Sequence, residues 1–229
     1  MIFPIGDDNV KGGFKPIFSY IFIGLNVLVF LYQFSIGPEA DRLFVRKFGT
    51  IPSEIINGQY YFTLLTSMFL HGGWMHLIGN MLFLWVFADN IEAKIGNIRF
   101  VLFYIMGGLA ASAAHIFFNM ESVIPAVGAS GAISAVLGAY MVMFPKSRIK
   151  VLVVYIFSSF HMAAVWFLGL WIGQQLISGI GTILPQGEVV GSGGGVAWWA
   201  HIGGFAFGVL AGFLFKSTRL MIENNYDYA

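Results

Sequence analysis

The sequence predicts an all-α membrane protein, a bundle of six transmembrane helices with an interfacial loop between the first helix and the second. Two observations carry that expectation. The chain of 229 residues is 58% hydrophobic and only 10% charged, far below the roughly 25% charge of soluble domains. Its apolar residues also fall into six runs parted by polar, glycine-rich or proline-marked breaks. The net charge of +1 and the lack of a basic, aromatic-interleaved stretch argue against a nucleic-acid partner. With no cysteine in the chain there is no disulfide framework, no thiolate metal site and no cysteine nucleophile.

Taken in order, residues 1–16 are polar and turn-rich and read as a short cytoplasmic leader. The first helix, Ile17 to Ile36, is long enough to span. No small-residue cleavage site follows it, so it is not a removable signal. Residues 37–66 mix Glu39, Asp41, Arg42, Arg46, Lys47 and Glu54 with Phe44, Phe48, Tyr60 and Tyr61. Such a composition suits short helices lying at the headgroup boundary. The second helix, Met75 to Ala88, is entered through His71-Gly72-Gly73-Trp74 and followed by Asp89, Glu92 and Lys94. The third, Ile98 to Phe118, has a centre of small residues suited to close helix packing. The fourth, Ser130 to Phe144, stops at Pro145.

Residues 151–160 fit either a strand or a helix in the interface, and periodicity leaves the choice open. The fifth helix runs from Met162 to Ile180 and the sixth from Val196 to Phe215. Between them Gly191-Ser192-Gly193-Gly194-Gly195 favours a mobile loop, the expected gate to whatever lies beneath it. The division is thus a leader over 1–16, a six-helix domain over 17–216 and a cytoplasmic tail over 217–229. With the N-terminus inside, the inner segments hold nine of the twelve Lys and Arg residues, and the outer ones only Arg42, Arg46 and Lys47. The positive-inside rule then puts both termini in the cytoplasm.

The chemistry gathers around Gly128-Ala129-Ser130-Gly131. Ser130 opens a helix whose first-turn N–H groups are free to meet an anion, and Gly128 and Gly131 clear space beside it. A serine so placed commonly only caps its helix, and what decides otherwise is depth. Ser130 lies 16 residues before Lys146, His201 lies 15 before Lys216, and His76 lies 18 before Lys94. At 1.5 Å per residue all three sit roughly 22 to 27 Å above the inner boundary, a little below the outer surface.

Gly204, Gly208 and Gly212 share the helical face of His201, so a neighbouring backbone can approach it closely. The small residues Ser130, Ser134 or Ala135, and Gly138 of the fourth helix offer the matching stripe. A branched residue at Gly204 should part the two helices, whereas alanine, one methyl larger, is expected to be partly tolerated. His76 and Asn80, at i and i+4, share a face and supply two donors for a developing oxyanion. No Asp or Glu lies within the last four spans, which leaves a Ser130–His201 dyad without a carboxylate. His71 and His76 lack the HExxH pattern, so neither metal nor cofactor is expected. His71 is placed to donate to carbonyls of the interfacial loop. His115 and His161 are expected to be structural, and Trp198 and Trp199 to belong to an outer aromatic belt.

In order and helix placement, His71-x4-His76-x3-Asn80, Gly128-Ala129-Ser130-Gly131 and Ala200-His201-x-x-Gly204-x3-Gly208 resemble the rhomboid intramembrane serine proteases. The resemblance covers nearly the whole chain. It implies a six-helix catalytic domain of the bacterial type, in a cytoplasmic membrane with the site toward the outer face. The reaction it implies is hydrolysis of a peptide bond in or near the transmembrane segment of a single-pass protein. Ser130 would be the nucleophile and His201 the base, with His76, Asn80 and the Ser130 N–H as the oxyanion hole. His71, Gly128, Gly131, Gly204 and Gly208 would support them.

Two departures stand out: Ser134 occupies a place where some members carry an aromatic ring against the histidine, and the interfacial loop lacks a Trp-Arg pair. Physics adds that a helical peptide bond is shielded, so the target must unwind locally. Two other readings are a rhomboid-like pseudoprotease that binds membrane proteins without cutting them, and a small-solute transporter. Retention of Ser130 and His201 counts against the first. Confinement of the polar cluster to the outer half counts against the second.

Overall fold

The computed structural model describes residues 2–8, 13–156, 158–183 and 196–226. The expected gate at Gly191 to Gly195 lies outside the described residues. The central element is α7 (Ser130–Met143), whose residues from Gly131 to Tyr140 are all buried. A helix that is apolar or small on every side has no solvent or lipid face to keep. Around it pack α5 (Trp74–Ile95), α6 (Asn97–Phe118), α8 (Ala164–Ile183) and α9 (Trp198–Tyr226). The first helix, α1 (Phe18–Ser35), packs mainly on α5.

By length and composition α1, α6, α8 and α9 can each cross a membrane, while α7, with 14 residues, is a shorter apolar helix. Their outer faces carry exposed Leu28, Phe34, Leu102, Trp166, Ile177 and Leu210. Apolar surface on that scale requires a lipid solvent.

Between α1 and α5 lie three short helices, α2 (Pro38–Phe48), α3 (Pro52–Ile56) and α4 (Thr63–Thr66), then a 3-10 turn at Ser67–Phe69. Prolines open α2 and α3, where the missing N–H costs nothing. Although it lacks a Trp-Arg pair, this segment is tied down. Thr50 and Ala126 exchange backbone hydrogen bonds at 3.0 and 2.8 Å, and Arg46 reaches Glu54 at 2.7 Å and the Val123 carbonyl at 3.1 Å.

Residues after Pro145 form strands, which resolves what periodicity left open. β2 (Arg148–Val153) and β3 (Ser158–Ala163) make an antiparallel hairpin. The leader is not merely polar chain: its β1 (Ile2–Gly6) pairs antiparallel with β2, Phe3 opposite Leu152. Alternation explains the placement, since Ile149 and Val151 turn inward to the core while Arg148 and Lys150 face out. Asp7 and Asp8 fasten this strand. Asp7 accepts from Asn90 of α5 at 2.6 Å and from the Tyr140 hydroxyl of α7, and Asp8 accepts from the Arg148 backbone N–H at 3.0 Å. Nor does the chain become a plain tail after Lys216, because α9 continues to Tyr226.

The closest packing is between α7 and α9. A β-carbon on Gly204 would lie 2.2 Å from the Gly131 carbonyl oxygen, one on Gly208 1.9 Å from that of Ala135, and one on Gly212 3.0 Å from the Ala139 Cα. Each contact pairs residues the same distance apart in sequence, so the two helices run parallel and in register. The glycine ridge therefore faces the fourth helix, as the spacing predicts, but along Gly131, Ala135 and Ala139 rather than along Ser130 and Gly138.

Candidate active site

Ser130 is the first residue of α7, with Ala129 as N-cap. Gly128, just before it, has φ +128°, a conformation natural only to glycine, and its N–H donates to the Ser67 carbonyl at 2.9 Å. The turn that presents Ser130 is thereby held by the 3-10 segment before α5. Because Ala129 holds the N-cap position, Ser130 is not the capping residue of its helix. Its Oγ lies 2.8 Å from Nε2 of His201, which is buried in the first turn of α9. Parallel, in-register packing of α7 on α9 puts the two at one height.

His76 and Asn80 of α5 approach the same point. A β-carbon on Gly128 would fall 2.7 Å from His76 Nε2 and 3.6 Å from Asn80 Nδ2, so both nitrogens converge on the ground Gly128 keeps clear. Nδ1 of His76 accepts from the Gly72 N–H at 3.4 Å. In the neutral ring the proton then belongs on Nε2, the atom facing the site. Asn80 Nδ2 donates to His71 Nε2 at 2.9 Å, which orients the amide and leaves its second N–H. His71 thus holds Asn80 with one ring nitrogen while the other faces the Phe69 backbone carbonyl of the interfacial loop. Gln33 fixes His71 in turn: it accepts from the His71 N–H at 3.0 Å and donates to the His71 carbonyl at 3.3 Å and to Asp41 at 3.0 Å. A chain of contacts from α2 through α1 therefore reaches Asn80.

Ser134 supplies no ring to His201, and its side chain lies against Gly204 on α9. Its hydroxyl donates to the Ser130 carbonyl at 2.6 Å. The aromatic contacts come from elsewhere: Trp171 of α8, with ring centroids 5.8 Å apart and planes 36° apart, and Trp198 edge-on at 6.4 Å. Trp198 therefore packs on the site, while Trp199 stacks on Phe118 at 3.7 Å. The other ring nitrogen of His201, Nδ1, lies 2.7 Å from Oε1 of Gln175 on α8. An uncharged glutamine does not stand out in an apolar helix, and α8 has no basic residue in its last turn from which a depth could be counted.

His115, expected from the sequence to be structural, borders the site. With Thr50, Ser67 and Ser112 it lines a cavity of about 40 Å³ that reaches Ser130. A signal for it exists, since His115 lies 16 residues after Arg99, the same depth as Ser130 on a helix of opposite direction. The cavity is polar and roomy enough for a water molecule. His161, on β3, is exposed and far from this cluster in the fold. Among the described residues no group of three His, Asp or Glu side chains is arranged to hold a metal ion.

The model of the rhomboid domain matches residues 58–218, which contain every one of these groups except Gln33, Asp41 and Thr50. This chain belongs to the rhomboid family. Among curated proteins it is 35% identical over 134 residues to the rhomboid protease GluP of Bacillus subtilis, covering 58% of this chain and 26% of that one. It is 31% identical to RHOMBOID-like protein 4 of Arabidopsis thaliana, covering 84% of this chain and 42% of that protein. It is 29% identical to the mitochondrial rhomboid protein 1 of Saccharomyces cerevisiae, covering 84% and 51%. The chain spans about a quarter to a half of the length of these relatives. Rhomboid relatives named from a plant and from yeast mitochondria do not tie it to a bacterial membrane. The family and the apolar helices make it an integral membrane protein.

Proposed function

We propose that this rhomboid is an intramembrane serine endopeptidase that hydrolyses a peptide bond in or near the transmembrane segment of single-pass proteins. α1, α5, α6, α7, α8 and α9 each cross the bilayer in this reading, with both ends cytoplasmic and the site toward the outer face. The observation that carries it is the Ser130 Oγ to His201 Nε2 distance of 2.8 Å, within proton-transfer range before any substrate is present.

In the first half-reaction Ser130 Oγ attacks the scissile carbonyl carbon as its proton passes to His201 Nε2. The carbonyl oxygen takes the negative charge and meets the His76 Nε2–H, the free Asn80 N–H and the Ser130 backbone N–H at the start of α7. The imidazolium then returns its proton to the leaving amine, the C–N bond breaks and an ester on Ser130 remains. In the second half-reaction a water gives its proton to His201 and attacks the ester, and Ser130 leaves with that proton. The cavity lined by Thr50, Ser67, Ser112 and His115 is the nearest polar reservoir for such a water. A substrate helix has to unwind to present its carbonyl, so residues of low helix propensity near the cut are favoured.

Fluorophosphonate labelling of purified protein beside Ser130→Ala tests this directly. Labelling of the wild type and none of the variant is expected. Equal labelling of both, or of neither, would overturn the reading.

A further inference from the structure

We propose that Gln175 is a positioning residue that holds His201 in the tautomer the reaction requires, so that Ser130, His201 and Gln175 act as a relay with a neutral amide in the third place. The inference rests on the protease reading above but is tested separately from it.

The direction of the Gln175 amide is set by two partners. Its Nε2 donates to the Trp171 carbonyl one turn back at 3.4 Å, and a carbonyl can only accept. Oε1 is therefore the atom 2.7 Å from His201 Nδ1. That oxygen can only accept as well, so Nδ1 carries the proton. In the neutral ring the lone pair is then on Nε2, 2.8 Å from the Ser130 hydroxyl. The opposite tautomer would set two lone pairs against each other at Nδ1 and a ring N–H against Ser130 Oγ, where it could accept nothing.

After proton transfer the imidazolium keeps its hydrogen bond to the amide oxygen. No charge has to be buried beforehand. A carboxylate in the same apolar setting would be costly until His201 became cationic, which is a physical reason for an amide within a membrane. Gln175 is 4% exposed, whereas the adjacent Gln174 is exposed on the same helix and provides an internal control.

The experiment compares Gln175→Met, which keeps length but removes the acceptor, with Gln175→Glu, which keeps an accepting carbonyl whether or not it is ionised, and with Gln174→Leu. Two readouts are taken: kcat and KM on a model transmembrane substrate, and the 15N spectrum of histidine-labelled protein, with His201 assigned against His201→Ala. Wild type should show His201 protonated at Nδ1 alone, and Gln175→Met a mixture of tautomers. In Gln175→Met kcat should fall roughly tenfold to a hundredfold with KM little changed, the loss expected from one buried hydrogen bond to a group that becomes charged. Gln175→Glu should recover most of the rate, and Gln174→Leu should match wild type.

A folded Gln175→Met protein with wild-type kcat and an unaltered His201 spectrum overturns the proposal. So does an equal fall in kcat in Gln175→Glu or Gln174→Leu, which would make the effect one of packing on α8. A tautomer change in Gln175→Met, beside a wild type that neither cleaves nor labels, would instead sink the protease reading and leave the positioning role standing.

Discussion

Gly204 of α9 and Gly131 of α7 meet backbone to backbone: a β-carbon on Gly204 would lie 2.2 Å from the Gly131 carbonyl oxygen. One methyl is already too much at that distance, because the obstacle is a carbonyl in a buried helix and not the end of a flexible side chain. Alanine at Gly204 is therefore not the partly tolerated substitution that its single methyl suggests.

Gly204→Ala, like Gly204→Val, should separate α7 from α9 and lengthen the Ser130–His201 contact. A displacement on the order of 1 Å can lower the rate about a hundredfold. Overpacking should also cost roughly 1 to 3 kcal/mol of stability. Gly173→Ala on α8 is the control, since nothing lies within 4 Å of its β-carbon. Cleavage rates and thermal unfolding of both variants check this, and a fully active, stable Gly204→Ala protein would contradict it.

Ser130→Ala and His201→Ala should each bring cleavage of a transmembrane substrate to background, while the exposed His161→Ala leaves it largely intact. His76→Ala and Asn80→Ala should be milder, because one oxyanion donor is worth about a hundredfold to a thousandfold in kcat. His71→Ala should resemble a weakened Asn80→Ala, since it frees the amide without removing it. Chelators should leave the wild-type rate unchanged. Restoration of an inhibited rate by zinc would count against this chemistry.

Glu92 of α5 is fully buried and accepts from the backbone N–H groups of Ile17, Phe18 and Ser19 at 3.0, 2.8 and 2.7 Å. It neutralises the positive end of α1 and satisfies donors that the helix itself leaves free. Glu92→Ala strands all three and should destabilise the protein by at least about 2 kcal/mol. Thermal unfolding in detergent is the measurement. Glu92→Gln should fall between the variant and wild type, and a Glu92→Ala protein as stable as wild type would refute the capping role.

Asp7 lies outside the spans, and burial pushes its carboxyl above the ordinary range despite the hydrogen bonds from Tyr140 and Asn90. A raised value means that the folded state holds the proton more tightly than the unfolded one. The stabilisation is complete below the ordinary carboxylate range near about 3.9 and is lost as pH rises through the raised value. Asp7→Asn, without a charge, should lose this dependence and be at least as stable as wild type at neutral pH. Unfolding temperatures of both proteins at acid and neutral pH decide it, and a wild type that gains on Asp7→Asn as pH rises would reverse the sign.

Hydropathy and spacing by themselves determined the helical segments, because long continuous apolar runs satisfy their backbone in lipid as helices, whereas barrel strands are shorter and alternate. They also determined that Ser130, His76 and His201 share one depth, because rise per residue is constant along a helix. The Gly204-Gly208-Gly212 ridge was legible for a related reason, since small residues at helical spacing leave room only for another backbone.

What tertiary structure alone decided is everything carried by contacts between elements distant in sequence. Gln175 on α8 and the Asp41–Gln33–His71 chain are held by partners that no spacing in the sequence indicates. The pairing of β1 with β2 joins residues some 150 apart in the chain; the leader does open on apolar Ile2, Phe3 and Ile5, but nothing local names the strand they pair with. Ser134 makes the same point: only the structure shows that its hydroxyl is taken by the Ser130 carbonyl one turn back. A side chain's identity limits what it can do, and only its neighbours select among those possibilities.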